Sequence, residues 1–290
     1  MRSQRNNVRF RAVMAFMLLV LGNSLCAPAW AEDHSLREKS QNPIGSLISV
    51  PFQNTTNFGV GALDNTQNVL LFQPVAPITL DPKWELIVRP IAPLTYQPPF
   101  FNGDSHDFGL GDIQLQTYFV PKKTLPIPGG SMVWGIGPVA QFKTATDPRL
   151  GTGKWAAGAG LVGFFAVKPF TFGALVNNIW SFAGDDDRAD VNLMTVQPFI
   201  NLNLPKGWYL TSSPAMEFDW EANQNTVPLG GGFGRIFKIG TQPINAYIQA
   251  FGYADRPDGG PDWSLRTEWT RTQSKRRAGE VISFSISNHL

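Results

Sequence analysis

Three histidines and one cysteine are the whole stock for nucleophilic or zinc chemistry. A hydroxyl nucleophile needs a histidine beside it, and that base needs a third group to orient it. His34 lies near the start of the mature chain, His106 in a long loop and His289 at the far end. No Ser-His-Asp grouping assembles from these positions. Zinc ligation fails on the same inventory. The glycine run Gly230-Gly231-Gly232-Phe233-Gly234 lacks the Lys-Ser/Thr of a phosphate loop, and no helical pattern follows it. Asp185-Asp186-Asp187 offers hard oxygen ligands for a divalent cation between lipopolysaccharide phosphates, or simply a solvated loop. No catalytic, cofactor-binding or metal residue is therefore assigned, and no cofactor is implied.

A second set of residues offers chemistry of another kind. Glu85, Arg89, Asp112, Lys143, Glu217, Asp219, Arg266 and Glu268 alternate with apolar neighbours, so each falls on the polar side of its segment. Tyr209 and Tyr247 share that side, as do Tyr118, Phe251 and Tyr253. If the polar sides face one lumen, these groups line a wet pore and bias which solutes pass. The alternative is a salt-bridged interior that only closes the wall. The rings would contact an aromatic solute or fill the lumen.

Strands must position them, because the sequence has almost no helical periodicity and much two-residue alternation. In 191–204, Met194, Val196, Ile200, Leu202 and Leu204 share one side, against Thr195, Gln197, Asn201 and Asn203. In 244–253, Ile244, Ala246, Ile248 and Ala250 oppose Asn245, Tyr247, Gln249 and Tyr253. Twelve such segments are read near 46–53, 66–75, 83–94, 110–120, 131–143, 153–167, 171–182, 191–204, 207–219, 227–238, 241–253 and 261–269. Their connections alternate short and long, as in bacterial membrane barrels; the ten residues of 121–130 break that order. Tryptophans cluster at segment ends, where two aromatic girdles belong. The expected fold is all-β: a transmembrane antiparallel up-and-down barrel of about 12 strands. A soluble β-sandwich is the alternative. Pro74, Pro90, Pro138, Pro198 and Pro214 fall inside the segments, and a barrel without edges would need bulges to hold them.

The ends of the chain have other jobs. Arg2, Arg5, Arg9 and Arg11, then the apolar Ala12–Leu21, then Ala29-Trp30-Ala31, form a secretory signal peptide over 1–31. Its loss takes four of the 24 Lys and Arg and leaves 20 against 22 Asp and Glu, so the mature charge is −2. A nucleic-acid partner would want a clustered basic face, and none is expected. Cys26 also leaves, and a thiol-free chain suits the periplasm and beyond. No apolar stretch reaches the length of a spanning helix, so only a closed barrel could cross a bilayer. Residues 32–44 are read as an N-terminal periplasmic segment, 45–270 as the barrel and 271–290 as a disordered basic tail.

Several phrases occur in a familiar order: Ser46-Leu47-Ile48-Ser49-Val50-Pro51-Phe52-Gln53-Asn54, Gln67-Asn68-Val69 leading to Gln73-Pro74-Val75, Trp84-Glu85-Leu86-Ile87-Val88-Arg89, Gly109-Leu110-Gly111-Asp112-Ile113-Gln114, Trp134-Gly135-Ile136-Gly137-Pro138 and Val196-Gln197-Pro198-Phe199-Ile200-Asn201-Leu202. Over roughly 42–269 the chain resembles the outer-membrane barrel family labelled "MetA-pathway of phenol degradation". The resemblance implies a transporter passing small, often aromatic or hydrophobic, solutes, and it carries no catalytic residues. Its members end on a short strand finishing in an aromatic soon after a phrase like Glu268-Trp269; this chain continues to Leu290. The function expected is a passive outer-membrane channel, with a structural or surface barrel as the alternative and an outer-membrane enzyme behind both. Expected partners are outer-membrane lipid and lipopolysaccharide, the barrel-assembly machinery and a small-molecule solute.

Overall fold

The computed structural model describes residues 34–240 and 242–274. The expected signal peptide and residues 275–290 of the expected tail lie outside them. A short helix, α1 (His34–Gln41), precedes sixteen strands: β1 (Leu47–Val60), β2 (Asn65–Phe72), β3 (Ala76–Thr79), β4 (Trp84–Gln97), β5 (Asp107–Leu110), β6 (Ile113–Pro121), β7 (Leu125–Ile127), β8 (Gly130–Phe142), β9 (Lys154–Val167), β10 (Phe170–Gly184), β11 (Asn192–Asn203), β12 (Trp208–Ser212), β13 (Met216–Asp219), β14 (Gln224–Ile239), β15 (Gln242–Asp255) and β16 (Trp263–Ser274).

Sixteen strands make twelve staves, because three staves are interrupted. β2 and β3 both pair with β4, β12 and β13 both pair with β11 and β14, and β5, β6 and β7 follow one another between β4 and β8. Every pairing is antiparallel, and β1–β16 and β10–β11 close the ring. Closure leaves no sheet edge, which is what a wall in lipid requires. The last strand runs to Ser274, past the 270 limit read from the sequence. The ten-residue connection 121–130 is itself β-structure: Leu125–Ile127 pairs back onto Gly130–Met132 around Pro128-Gly129. Gly129 takes φ +76, the left-handed backbone that a tight turn demands there.

The prolines sit at interruptions, and bulges are not what accommodates the five named above. Pro74 and Pro214 occupy the breaks between β2 and β3 and between β12 and β13. Pro90 lies opposite the first break, since Ala92 pairs with Phe72 and Val88 with Ala76. Pro198 lies opposite the second, since Ile200 pairs with Ser212 and Val196 with Met216. Pro138 faces a gap in the β6–β8 ladder between the Gln116–Val139 and Phe119–Ile136 pairs. A missing donor costs nothing where the neighbouring ladder is already open.

Alternation sets the two sides of the wall. Along β9, Trp155 and Leu161 are exposed while Ala156, Val162 and Phe164 are buried. The outward side carries an apolar belt that includes Ile136, Leu161, Ile200, Leu210 and Leu229. Tryptophans mark both rims: Trp84, Trp134, Trp208 and Trp269 toward the short turns, Trp155, Trp180, Trp220 and Trp263 toward the long loops. Trp84 meets Trp134 edge-on at 6.1 Å, and Trp263 stacks on Phe58 at 4.1 Å.

The interior departs from a uniformly polar lumen. Along β4–β10 it is packed: Val75, Ile87, Tyr118, Val120, Val162 and Leu175 form one buried cluster, and Val139, Ala156 and Ile179 another. The polar lining is concentrated on β11–β16 with β1 and β2, while β4, β6, β8 and β10 add Glu85, Gln116, Gln141, Thr171 and Asn177. Small or apolar inward residues on β8–β10 let this half close on itself.

Candidate functional site in the barrel lumen

A cavity of about 160 Å³ lies inside the ring, against the polar half of the wall. Twenty-one residues line it. Fourteen are neutral hydrogen-bonding residues such as Gln53, Gln73, Gln197, Asn201, Asn245 and Thr270; Arg89 and Glu268 are the charged ones. Tyr209, Tyr247 and Phe199 contribute rings.

Strand parity brings these groups together and hydrogen bonds fix them. On β15 and β16, Tyr247 donates to Glu268 Oε2 at 2.7 Å, and Thr270 donates to the other carboxylate oxygen at 2.7 Å. Tyr209 on β12 donates to Asn245 Oδ1 at 2.6 Å. Its ring fits because β14 offers Gly234: a Cβ there would stand 2.3 Å from Tyr209 Cζ. Gln249 donates to Thr211 at 3.0 Å and accepts from Ser213 at 3.0 Å. Across the lumen, Arg89 on β4 donates to Gln73 Oε1 at 2.5 Å, and its other arm reaches Gln116 at 3.5 Å. Both cavity charges are thus tied to neutral partners, the arrangement that makes a buried charge tolerable.

Further toward the loops, Arg266 is buried, donates to the Ser213 carbonyl at 2.7 Å and lies 4.9 Å over the Phe251 ring. Its Nε has no partner among the described residues. Glu217 shares this stretch on β13, within charge range of Arg266 and Asp219, and its side chain is solvent-accessible.

The residues singled out from the sequence fall into two groups. Glu85, Arg89, Tyr209, Glu217, Tyr247, Arg266 and Glu268 point into the ring. Asp112, Lys143 and Asp219 sit at the loop end and hold loops. Asp112 accepts from the backbone of Thr144, Ala145 and Thr152 at 3.1, 3.1 and 2.7 Å, and from the Thr152 hydroxyl at 2.9 Å. Lys143 pairs with Asp185. Asp219 accepts from the amides of Glu221 and Ala222, each at 3.0 Å, capping the turn into β14. Neutral amides also line the cavity, and they carry no charge to mark them; the same alternation places Gln197, Asn201, Asn245 and Gln249 on the polar side.

The chain before β1 also enters the ring. Gln41 donates to Asn203 at 3.0 Å and accepts from Thr171 at 2.8 Å, both inward residues at the short-turn end. Ile44 is 2% exposed and packs in the cluster with Ile87, Tyr118 and Leu175. Ser46 donates to Glu85 at 2.7 Å. Ser40 to Pro43 form one side of the cavity. Residues 40–46 therefore occlude the lumen from that end. Nothing periodic in the sequence marks them for this.

No family model matches the sequence, and no curated protein matches it. Among solved structures, the fold is similar to an outer-membrane channel of Pseudomonas putida F1, with a TM-score of 0.60 and 15% identity over 86% of this chain and 100% of that one. Outer-membrane phospholipase A from Escherichia coli scores 0.47 at 11% identity, over 81% of this chain and 94% of that one. The β domain of a Bordetella autotransporter scores 0.42 at 12%, over 79% and 100%. At 15% identity the likeness to the channel is one of fold: a closed, twelve-stranded, antiparallel barrel of the outer-membrane kind.

Proposed function

We propose that this chain is an outer-membrane barrel that passes small solutes by diffusion. The observation that carries the reading is the lined cavity inside a sealed wall whose outside is an apolar belt between two aromatic rims. A wall with that pattern suits lipid outside and solute inside. The similarity in fold to the Pseudomonas putida F1 channel supports it. The signal peptide read over 1–31 would deliver the chain for export, and the barrel-assembly machinery and outer-membrane lipid are the partners such a wall needs. The lining suits a small aromatic solute that carries a hydroxyl, since amides meet the hydroxyl and Tyr209, Tyr247 and Phe199 meet the ring. That agrees with what the family resemblance implies.

The test is conductance in planar bilayers with the full chain and with Glu268→Gln and Arg89→Gln. The channel reading expects a small current whose ion preference moves in opposite directions in the two variants. Unchanged preference would remove these residues from the pathway. The packed half of the lumen and the occluding segment favour a second reading, a barrel with no transport. It expects no current and no liposome swelling with phenol. An enzyme finds less support. Among the described residues, His106 lies in a loop beside the Tyr96 ring, 5.9 Å between centroids, with no hydroxyl nucleophile bonded to it.

A further inference from the structure

The two ends of the barrel carry opposite charge. The long loops at 61–64, 98–112, 143–154, 183–191, 219–223 and 255–262 hold fourteen Asp and Glu against five Lys and Arg. The short turns are the reverse. Lys83, Lys122, Lys123, Lys168 and Lys206 are exposed in them, and Asp81 is the one carboxylate of the turns at 80–83, 121–129, 168–169 and 204–207. Arg235 and Arg271 extend the set onto the outward wall, both exposed. None of these seven cations has an ion-pair partner among the described residues. Arg235 lies over the Trp208 ring at 5.2 Å, and Arg271 follows Trp269 by one outward position.

We infer that this basic collar is a docking surface for the phosphate headgroups of anionic phospholipid. Three features converge on that occupant. The collar lies just beyond the aromatic rim of the short-turn end, and amphipathic rings settle at headgroup level, so the cations stand at the depth of lipid phosphates. Arg235 lies against the outward Trp208 ring, the posture of a snorkelling side chain. Asp81 is the one carboxylate in these turns and forms no ion pair with the collar among the described residues, so the charge is left for an external anion, and anionic leaflets attract such collars. The acidic loop end would repel the same lipid. The inference also orients the molecule, with the short turns toward a leaflet containing anionic phospholipid. It rests on the reading that the apolar belt meets lipid.

The experiment is tryptophan quenching of the full chain in phosphatidylcholine vesicles doped with brominated phosphatidylglycerol or brominated phosphatidylcholine. At low salt the phosphatidylglycerol should bind at least two-fold more strongly, and the preference should fall toward one as salt rises. Combined Lys83→Gln, Lys122→Gln, Lys123→Gln, Lys168→Gln, Lys206→Gln, Arg235→Gln and Arg271→Gln should abolish it; Arg235→Gln with Arg271→Gln, far milder for folding, should already reduce it. Asp186→Asn with Asp187→Asn at the other end should leave it unchanged. Equal quenching by the two lipids in the unmodified protein, or a preference governed by the loop-end variant, would overturn the inference alone. Failure to enter vesicles, seen by flotation, would overturn it together with the membrane reading.

Discussion

Tyr209 shows how closely single positions are set inside this ring. Its hydroxyl needs Asn245, and its ring needs the hydrogen atom that Gly234 offers in place of a side chain. Gly234→Ala would put a methyl carbon where the ring now lies, so the ring must shift and its hydrogen bond must break. Overpacking of that kind costs about 1–3 kcal/mol. Tyr209→Phe keeps the ring but strands Asn245 Oδ1, for about 1–3 kcal/mol. Because both changes act through one hydrogen bond, the double variant should cost less than the two single costs combined. Urea midpoints in vesicles would show it, and strict additivity would contradict the coupling. Alternation reveals which way Arg89, Tyr209 or Glu268 points. It does not reveal which residue of the next stave will meet it, since Gln73 meets Arg89 where the neighbouring stave breaks at 73–75.

Strands were the easiest elements to read, and their interruptions the hardest. Each of the twelve segments corresponds to a stave because period two survives wherever one side meets an apolar belt. The breaks at 73–75 and 213–215 left no such mark; their only trace was proline, which signals an open ladder as readily as a bulge. Loops were legible as loops but not as a clamp. The segment 144–152 is held by Asp112 on one side and by Arg188 on the other, through the Gly151 and Thr152 carbonyls. Asp112→Ala removes four accepted hydrogen bonds at once, so limited proteolysis should cut within 144–152 much faster while the strands stay intact. Unchanged cleavage would deny Asp112 this holding role. The neighbouring loop is fastened by Asp190, whose carboxyl is kept below the ordinary carboxylate range by hydrogen bonds from Lys154, at 3.0 Å, and Ser181. A lowered folded value means the fastening is complete above the ordinary carboxylate range and is lost as pH falls through the lowered value. Cleavage within 183–190 should therefore rise only in acid, modestly because Asp190 is exposed, and Lys154→Met should shift that rise to higher pH.

At the scale of the whole molecule, the segment before β1 packs inside the ring. Its contacts reach Thr171 and Asn203, far away in sequence, so no local pattern could announce them. Gln41 is held by two neutral hydrogen bonds, which exchange with water at small net cost. Ile44 is different, since it leaves a buried apolar cluster if the segment moves. Burial of one isoleucine stabilises by about 1.5–3 kcal/mol, enough to keep the segment in place most of the time and little enough for it to leave transiently. Ile44→Ala should accordingly raise the frequency of open events in single-channel records without changing the open current, because the open pathway is the same. Deleting residues 34–45 should instead give a steady, larger current. The barrel of that variant should keep its heat-modifiable gel migration, because no stave is lost and the β1–β16 seam stays closed. A deletion that leaves the current unchanged would mean that the packed half of the lumen, around Ile87, Tyr118 and Val162, sets the width of the path, and that the segment is a strut and not a stopper.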